Sequence, residues 1–543
     1  MKKTLGFLSI LLLGIIVSIW AMTTSTVPQA ETTPYKIIRW NLGSEPSTLD
    51  PQLNADLYGG SIINHMYEGL LRYENDVLKP AVAETYDVNE DGTVYTFRLR
   101  ETLWSDGTPV TAHDFEYAWK RALNPRTASE FAYHFFYIKG AESYHKSLGT
   151  SRDVGIKALD DTTLEVVLNA PTPQFLDLLA TFTYFPVKKP VINKGIFVDQ
   201  SMDPNQVISN GPFKLTDHVR GEKIILKKNP TYWRADQIKI DELQITMVVD
   251  ASTTLTGFEE GSFDVIDSVP LAEIPKLMAE SNAFKMIPSV ATAYYIFNVE
   301  KEPLDDPEVR KALSFAVNRV LLVDAITKAG EIPATGMTPP GLKDASGNDF
   351  RKTSGHFDFK HNDMDVKKAK AYLASAGYPD GKDFPELELI YNTSETNENL
   401  AAAIQQMWKE NLNITVHLSN QEYGVFQNTK NEGNFHIARG SWFGDYPDPL
   451  AMLEIWTSDN NVNTSGWHNK TFDQLIERAR NTLGQDHFDL LYQAEEILME
   501  EMPIIPLYYY SDVFMVAEHI VGFEKSSMGV WYFGNADVIE KQK

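Results

Sequence analysis

Two stretches of this sequence carry residues whose types and spacing could do chemistry. The first is Ala438-Arg439-Gly440-Ser441-Trp442-Phe443-Gly444-Asp445-Tyr446-Pro447. Arg439 and Asp445 stand at the two ends of an aromatic, glycine- and proline-rich segment, and segments of that kind are where binding residues concentrate. The same two side chains could equally clip the loop to itself as an internal ion pair. The second stretch is Pro506-Leu507-Tyr508-Tyr509-Tyr510. Neighbours on a strand face opposite sides, so three consecutive tyrosines must divide between two environments. Sheet packing and ligand contact both stay open for them.

Bond-breaking chemistry leaves no comparable trace. The G-x-S-x-G elbow, the H-E-x-x-H zinc helix, the Walker A loop and a G-x-G-x-x-G turn are all absent. His113, Asp114 and Glu116 resemble a metalloprotease helix only until the second histidine is sought. His356 and His361 flank a polar stretch and read as solvated histidines, not as a metal pair. With 74 Asp and Glu residues, close acidic pairs arise by chance. No catalytic residue, metal site or cofactor is therefore expected, although triads assembled from distant positions would escape such a search.

The elements around these stretches alternate. Tyr95, Phe97 and Leu99 interleave with Thr96, Arg98 and Arg100 as in a half-buried strand, and Leu164, Val166, Leu168 and Ile414, Val416, Leu418 repeat the pattern. Asp306-Pro307-Glu308 reads as a helix cap followed by Val309, Leu313, Val317 and Val320 at helical spacing. Further helices are expected over 365–376, around Leu400, Ile404 and Met407, and over 488–502. Trp104-Ser105-Asp106-Gly107-Thr108-Pro109 is a strand exit and tight turn that Thr111 or Asp114 caps into a helix, a structural corner. The chain is thus mixed α/β.

The sequence has 543 residues, enough for two to four lobes, and a formal net charge of −25. That surface repels nucleic acid, and no Lys/Arg-rich run opposes it. There is no cysteine, which excludes disulfides, thiolate metal sites and a Cys-linked lipid anchor. Lys2 and Lys3 precede an apolar run from Leu5 to Met22, the layout of a secretory signal or an uncleaved anchor, so residues 1–30 are set apart and export is expected.

In order along the chain, these segments resemble the dipeptide- and oligopeptide-binding branch of the solute-binding proteins of ATP-binding-cassette importers. The resemblance is carried by G-S-E-P-S-T-L-D-P from Gly43, Y-E-G-L-L from Tyr67, P-A-V-A-E-T-Y from Pro80, the corner at Trp104, K-K-N-P-T-Y-W from Lys227, Y-N-T-S from Tyr391, and A-R-G-S-W-F-G-D-Y. It implies a three-lobed periplasmic-binding-protein clamp with mixed sheets. Lobe I would be discontinuous (31–67, 188–289 and 512–543), lobe II would span 68–187 and lobe III 290–511. Implied too are short peptides as ligands, an importer's transmembrane subunits as partner, a monomer, and a periplasmic or cell-surface location. A relative specialised for one ligand, such as a signalling or cell-wall peptide or a nickel or haem complex, is the alternative.

The resemblance also implies roles. The acid of W-x-x-D-Y, here Asp445, takes the ligand's α-ammonium group, and the arginine of A-R-x-x-W, here Arg439, its carboxylate. Lys430 keeps a basic carboxylate position in kind, while Asn397 replaces a histidine and Thr327 a lysine, with Lys328 beside it. Asn392, Trp442, Tyr294, Phe131 and one of Tyr508, Tyr509 and Tyr510 carry over as pocket positions. Phe443 is bulkier than the usual residue and narrows one side-chain pocket.

Overall fold

The computed structural model describes residues 34–74, 77–193, 204–354, 359–444, 446–460 and 462–539. It begins with β1 (Ile37–Asn41), whose partners arrive much later in the chain. The chain leaves to build a separate antiparallel sheet of β2 (Ala83–Val88), β3 (Val94–Leu99), β4 (Ile156–Ala158) and β5 (Thr163–Val167), in the order β2-β3-β5-β4. The alternation read from the sequence is present: Tyr95, Phe97 and Leu99 are buried while Arg98 is exposed. Helix α1 (Ala112–Leu123) packs on β4 and β5 through an apolar stripe that includes Phe115, Ala118, Trp119 and Ala122. Its start is the predicted corner. Asp106 accepts from the Thr108 amide at 3.1 Å, and Asp114 reaches back to the Thr111 amide at 2.8 Å.

The chain then returns through β6 (Phe213–Val219), β7 (Lys223–Lys228), β8 (Glu242–Thr246), β9 (Val265–Ile266) and the long β10 (Phe284–Phe297). A second excursion carries α2 (Pro307–Phe315), β11 (Ile332–Pro333), β12 (Leu387–Asn392), α3 (Glu395–Leu412), β13 (Val416–Gln421), α4 (Tyr423–Asn431), β14 (Ile437–Phe443) and α5 (Gln485–Glu501). Strand β15 (Ile504–Val516) closes it. These strands form one eleven-stranded mixed sheet, ordered β13-β12-β14-β10-β15-β9-β1-β8-β7-β6 with β11 attached to β15.

Helix α2 starts as its sequence dictates, with the Asp306 carboxylate accepting from the Glu308 amide at 2.8 Å ahead of Pro307. It stops sooner than the periodicity suggests. Asn318 caps a fresh turn by accepting from the Leu321 amide at 3.0 Å, which leaves Val320 exposed. Helix α3 buries Leu400, Ile404 and Met407, and α5 ends where Met502 turns left-handed ahead of Pro503.

From Ile37 onward the described residues form one compact unit, and β10 with β15 is the longest ladder in it. Pairing runs from Phe284↔Met515 to Pro288↔Ser511, breaks, and resumes from Thr292↔Tyr509 to Ile296↔Ile504. At the break the freed backbone groups of Val290 find other partners. Its amide donates to the Ser527 carbonyl (3.0 Å) and its carbonyl accepts from the Gly444 amide (2.8 Å). Beside the break, buried Lys525 is shared by the Asp267 and Asp512 carboxylates at 2.5 and 2.8 Å.

Candidate binding site

Strand β14 carries the Arg439 segment and pairs with β10 in the register Tyr295↔Arg439, Tyr294↔Gly440, Thr292↔Trp442 and Ala291↔Phe443. The two-residue period of the pleat then sorts the side chains. On one face the Arg439 guanidinium donates to the Tyr510 hydroxyl at 3.0 Å. Phe443 stacks on the Tyr510 ring, centroids 5.1 Å apart, and Tyr508 meets that ring edge-on at 5.2 Å. Phe443 is 53% exposed, a large apolar surface beside a charged group.

The opposite face is given to packing. The Trp442 indole donates to the Ala451 carbonyl at 2.8 Å, and Tyr294 sits edge-on to Trp456 at 5.3 Å. Gly440 is what allows this, because a Cβ there would lie 2.3 Å from Tyr294 Cε2. The Tyr509 hydroxyl accepts from the Thr335 and Gly336 amides at 3.1 and 3.0 Å and donates to the Gly336 carbonyl at 3.1 Å. Nearby, Arg351 makes a bidentate pair with Glu495, both bonds 2.8 Å and both residues buried. The tyrosine triplet therefore divides as its spacing requires, with Tyr508 and Tyr510 beside Arg439 and Tyr509 locked into structure.

Helix α3 brings a polar edge to the Arg439 face. Asn397 donates to the Asn392 carbonyl at 3.0 Å and to its side-chain oxygen at 3.1 Å. Asn397, Leu400, Tyr295, Tyr508 and Arg439 line a cavity with room for about one water. Lys430 on α4 is half-buried, and burial, with the Arg439 guanidinium adding to it, pulls its amine below the ordinary lysine value. Among the described residues Arg439 has no carboxylate within ion-pair reach. Two cations thus share a partly desolvated corner with no described anion, an arrangement that favours an incoming carboxylate.

One expected residue, Phe131, stands elsewhere. Phe131 lies against His134, rings nearly parallel with centroids 5.0 Å apart, and beside Phe182, with no contact to the Arg439 group among the described residues. Asp445 lies outside the described residues, but its flanks are held. Gly444 is bonded to Val290, the Tyr446 hydroxyl donates to Glu454 at 2.7 Å, and Asp448 pairs with buried His487 at 3.1 Å. Thr327 donates to Glu331 at 2.7 Å, a partner that no sequence pattern singled out. The segments 1–30 and 355–358, with His356, lie outside the described residues. Among the described residues no cluster of three metal-ligating side chains occurs, and no helix is long and apolar enough to cross a membrane.

The charged aromatic cluster thus lies close to the break in the ladder of the two longest strands, β10 and β15. Comparison with known proteins gives the class. Residues 77–464 match the bacterial extracellular solute-binding proteins, family 5 (middle). The oligopeptide-binding protein OppA of Bacillus subtilis is 35% identical over 508 residues, 91% of each chain. The periplasmic oligopeptide-binding protein OppA of Escherichia coli is 34% identical over 490 residues, 89% of each. The unliganded open form of the murein tripeptide-binding protein MppA superposes with a TM-score of 0.80 at 30% identity, covering 93% of this chain and 98% of that one. The chain belongs to the family 5 solute-binding proteins, a family of binding proteins rather than enzymes, and its fold is that of OppA and MppA.

Proposed function

We propose that this protein captures short peptides with free termini outside the cytoplasm and delivers them, as a monomer, to the membrane subunits of an ATP-driven importer. The observation that carries the reading is Arg439, partly buried, tethered by Tyr510 and beside Lys430, with no anion against it among the described residues. Such a corner suits a peptide's carboxylate, and Asp445, two positions beyond β14 in the sequence, is assigned the α-ammonium group. The oligopeptide- and dipeptide-binding names of the relatives support this ligand class. Asn392, Asn397, Phe443, Tyr508 and Tyr510 are assigned to the ligand's flanks, while Trp442, Tyr294 and Tyr509 support the strand beneath. Phe131 is assigned to the far wall. Lobe I is assigned 31–67, 188–289 and 512–543, lobe II 68–187 and lobe III 290–511. The 289/290 seam falls within the break in the β10–β15 ladder and the 511/512 seam one pair before it, which supports a cleft between lobes I and III. With no cysteine, no Cys-linked lipid anchor is assigned, and residues 1–30 are assigned as a signal peptide or an amino-terminal anchor.

Calorimetry on ligand-stripped protein tests the assignment. A free-ended tripeptide should bind. Amidating its carboxyl end and Arg439→Ala should each weaken binding by about 2–5 kcal/mol, without adding to one another, because they remove the same contact. Acetylating the amino end should do likewise with Asp445→Ala. Additive losses would mean that Arg439 and the ligand carboxylate do not meet.

A further inference from the structure

We infer that Glu331 makes this cleft selective for ligands carrying a cationic side chain. The inference rests on the peptide-binding reading and adds to it the chemical class of ligand preferred.

Glu331 directly precedes β11, which pairs with β15 as Ile332↔Tyr509 and Pro333↔Tyr508. It is therefore carried along the flank of the tyrosine triplet away from Arg439. A π-helical stretch, Leu322–Thr327, leads into this turn, a local form often found at functional positions. The turn is fixed to the sheet by the Ser511 hydroxyl, which donates to the Gly330 carbonyl at 2.8 Å.

The carboxylate itself is used on one side only. Its Oε2 accepts from the Thr327 hydroxyl at 2.7 Å and from the Ala329 amide at 2.9 Å. Its Oε1 receives no hydrogen bond from any described residue, and no Lys, Arg or His among them comes within ion-pair distance. Lys328, the neighbouring cation, is exposed and forms no ion pair with it. The charge is thus oriented by two bonds to one oxygen, while the other oxygen has no described donor and suits a cationic partner.

Its position relative to the cationic corner sets the ligand geometry. The strands run β14-β10-β15-β11, so Arg439 and Glu331 sit on strands three spacings apart, roughly 14 Å across the sheet, and they are offset along it as well, because Arg439 is level with Ile505 and Glu331 precedes Ile332, which is level with Tyr509. The across-sheet part alone equals about four residues of extended chain. Tyr508, whose hydroxyl pKa is raised chiefly by burial and then by Tyr510, also feels both charges, Arg439 favouring its ionised form and Glu331 opposing it. The wall is thus polarised, positive at Arg439 and Lys430 and negative at Glu331. A peptide with its carboxylate at Arg439 would bring a lysine or arginine side chain from a few residues upstream against Glu331.

The test is calorimetry with free-ended tetra- and pentapeptides in which lysine or its uncharged isostere norleucine stands at one position at a time. Wild-type protein, Glu331→Gln and Glu331→Lys are compared. In the wild type one position should favour lysine by tenfold or more. That ratio should fall to about one in Glu331→Gln and invert in Glu331→Lys, where glutamate should replace lysine as the preferred residue. Binding of the norleucine peptides by a variant shows that it is folded. A lysine preference that is absent in the wild type, or that survives in Glu331→Gln, overturns the role of Glu331 and leaves peptide capture standing. A preference abolished by acetylating the amino end would mean that Glu331 reads the terminus, and overturns it too. Failure of every norleucine and lysine peptide to bind the wild type overturns peptide capture itself.

Discussion

Asp177 offers the sharpest quantitative test. It sits outside the eleven-stranded sheet, with the Tyr73 hydroxyl donating to its carboxylate at 2.5 Å and Asp448 near enough to repel it. Burial chiefly, and the Asp448 charge secondarily, lift it from the ordinary 3.8 to about 6, against the opposing Tyr73 bond. An acid whose folded value is raised binds more protons folded than unfolded, so stability falls as pH rises from about 4 to about 6. Above that window the cost of holding the charge is about 3 kcal/mol, two units at 1.36 kcal/mol each. Asp177→Asn keeps the acceptor for Tyr73 and removes the charge. It should therefore stabilise the protein by up to about 3 kcal/mol near pH 7.5 and by only about 1 kcal/mol near pH 4.5. Urea unfolding of both proteins at the two pH values measures the difference. An equal gain at both, or a loss at the higher pH, would refute the reasoning.

Two further outcomes follow from buried pairs. Burial disfavours the His487 imidazolium, but the Asp448 carboxylate and the Ala479 carbonyl outweigh it and hold its pKa above the ordinary value. That stabilisation is complete below the unfolded histidine value near 6.5 and is lost as pH rises through the folded one, so His487→Leu should lower the melting temperature more near pH 5.5 than near pH 8.5. Glu495→Gln leaves the Arg351 charge buried without its counter-ion and should cost about 3–5 kcal/mol in chemical denaturation, nearly independent of salt because the pair is shielded from solvent.

What the sequence discloses here depends on range. Local grammar was readable: Asp306-Pro307 opens α2, Tyr95 to Leu99 alternate as a strand, and Tyr508 and Tyr510 separate from Tyr509 by parity alone. The α2 periodicity ran past the true end because Asn318 restarts the backbone, and a cap can override an apolar pattern. Partnerships across the chain were not legible from spacing. The Arg439 loop offered Asp445 as a partner within the loop, whereas the bond among described residues goes to Tyr510 on another strand. Phe443 could be seen as bulky but not as stacked on that same ring. Glu331 was one acid among 74, made distinct only by what surrounds it.

The route of the chain through the large sheet bears on synthesis. Strand β1 has no partner until residues near Glu242 exist, and β10 must wait for β15, which ends at Val516 of a 543-residue chain. Pairings so distant in sequence form slowly, since the cost of closing the loop precedes any reward. A nascent chain of this protein therefore cannot complete its central sheet until Val516 has been made. For a member of an extracellular family this delay is useful, because a polypeptide that has not yet locked its sheet is one that can still be threaded through a membrane.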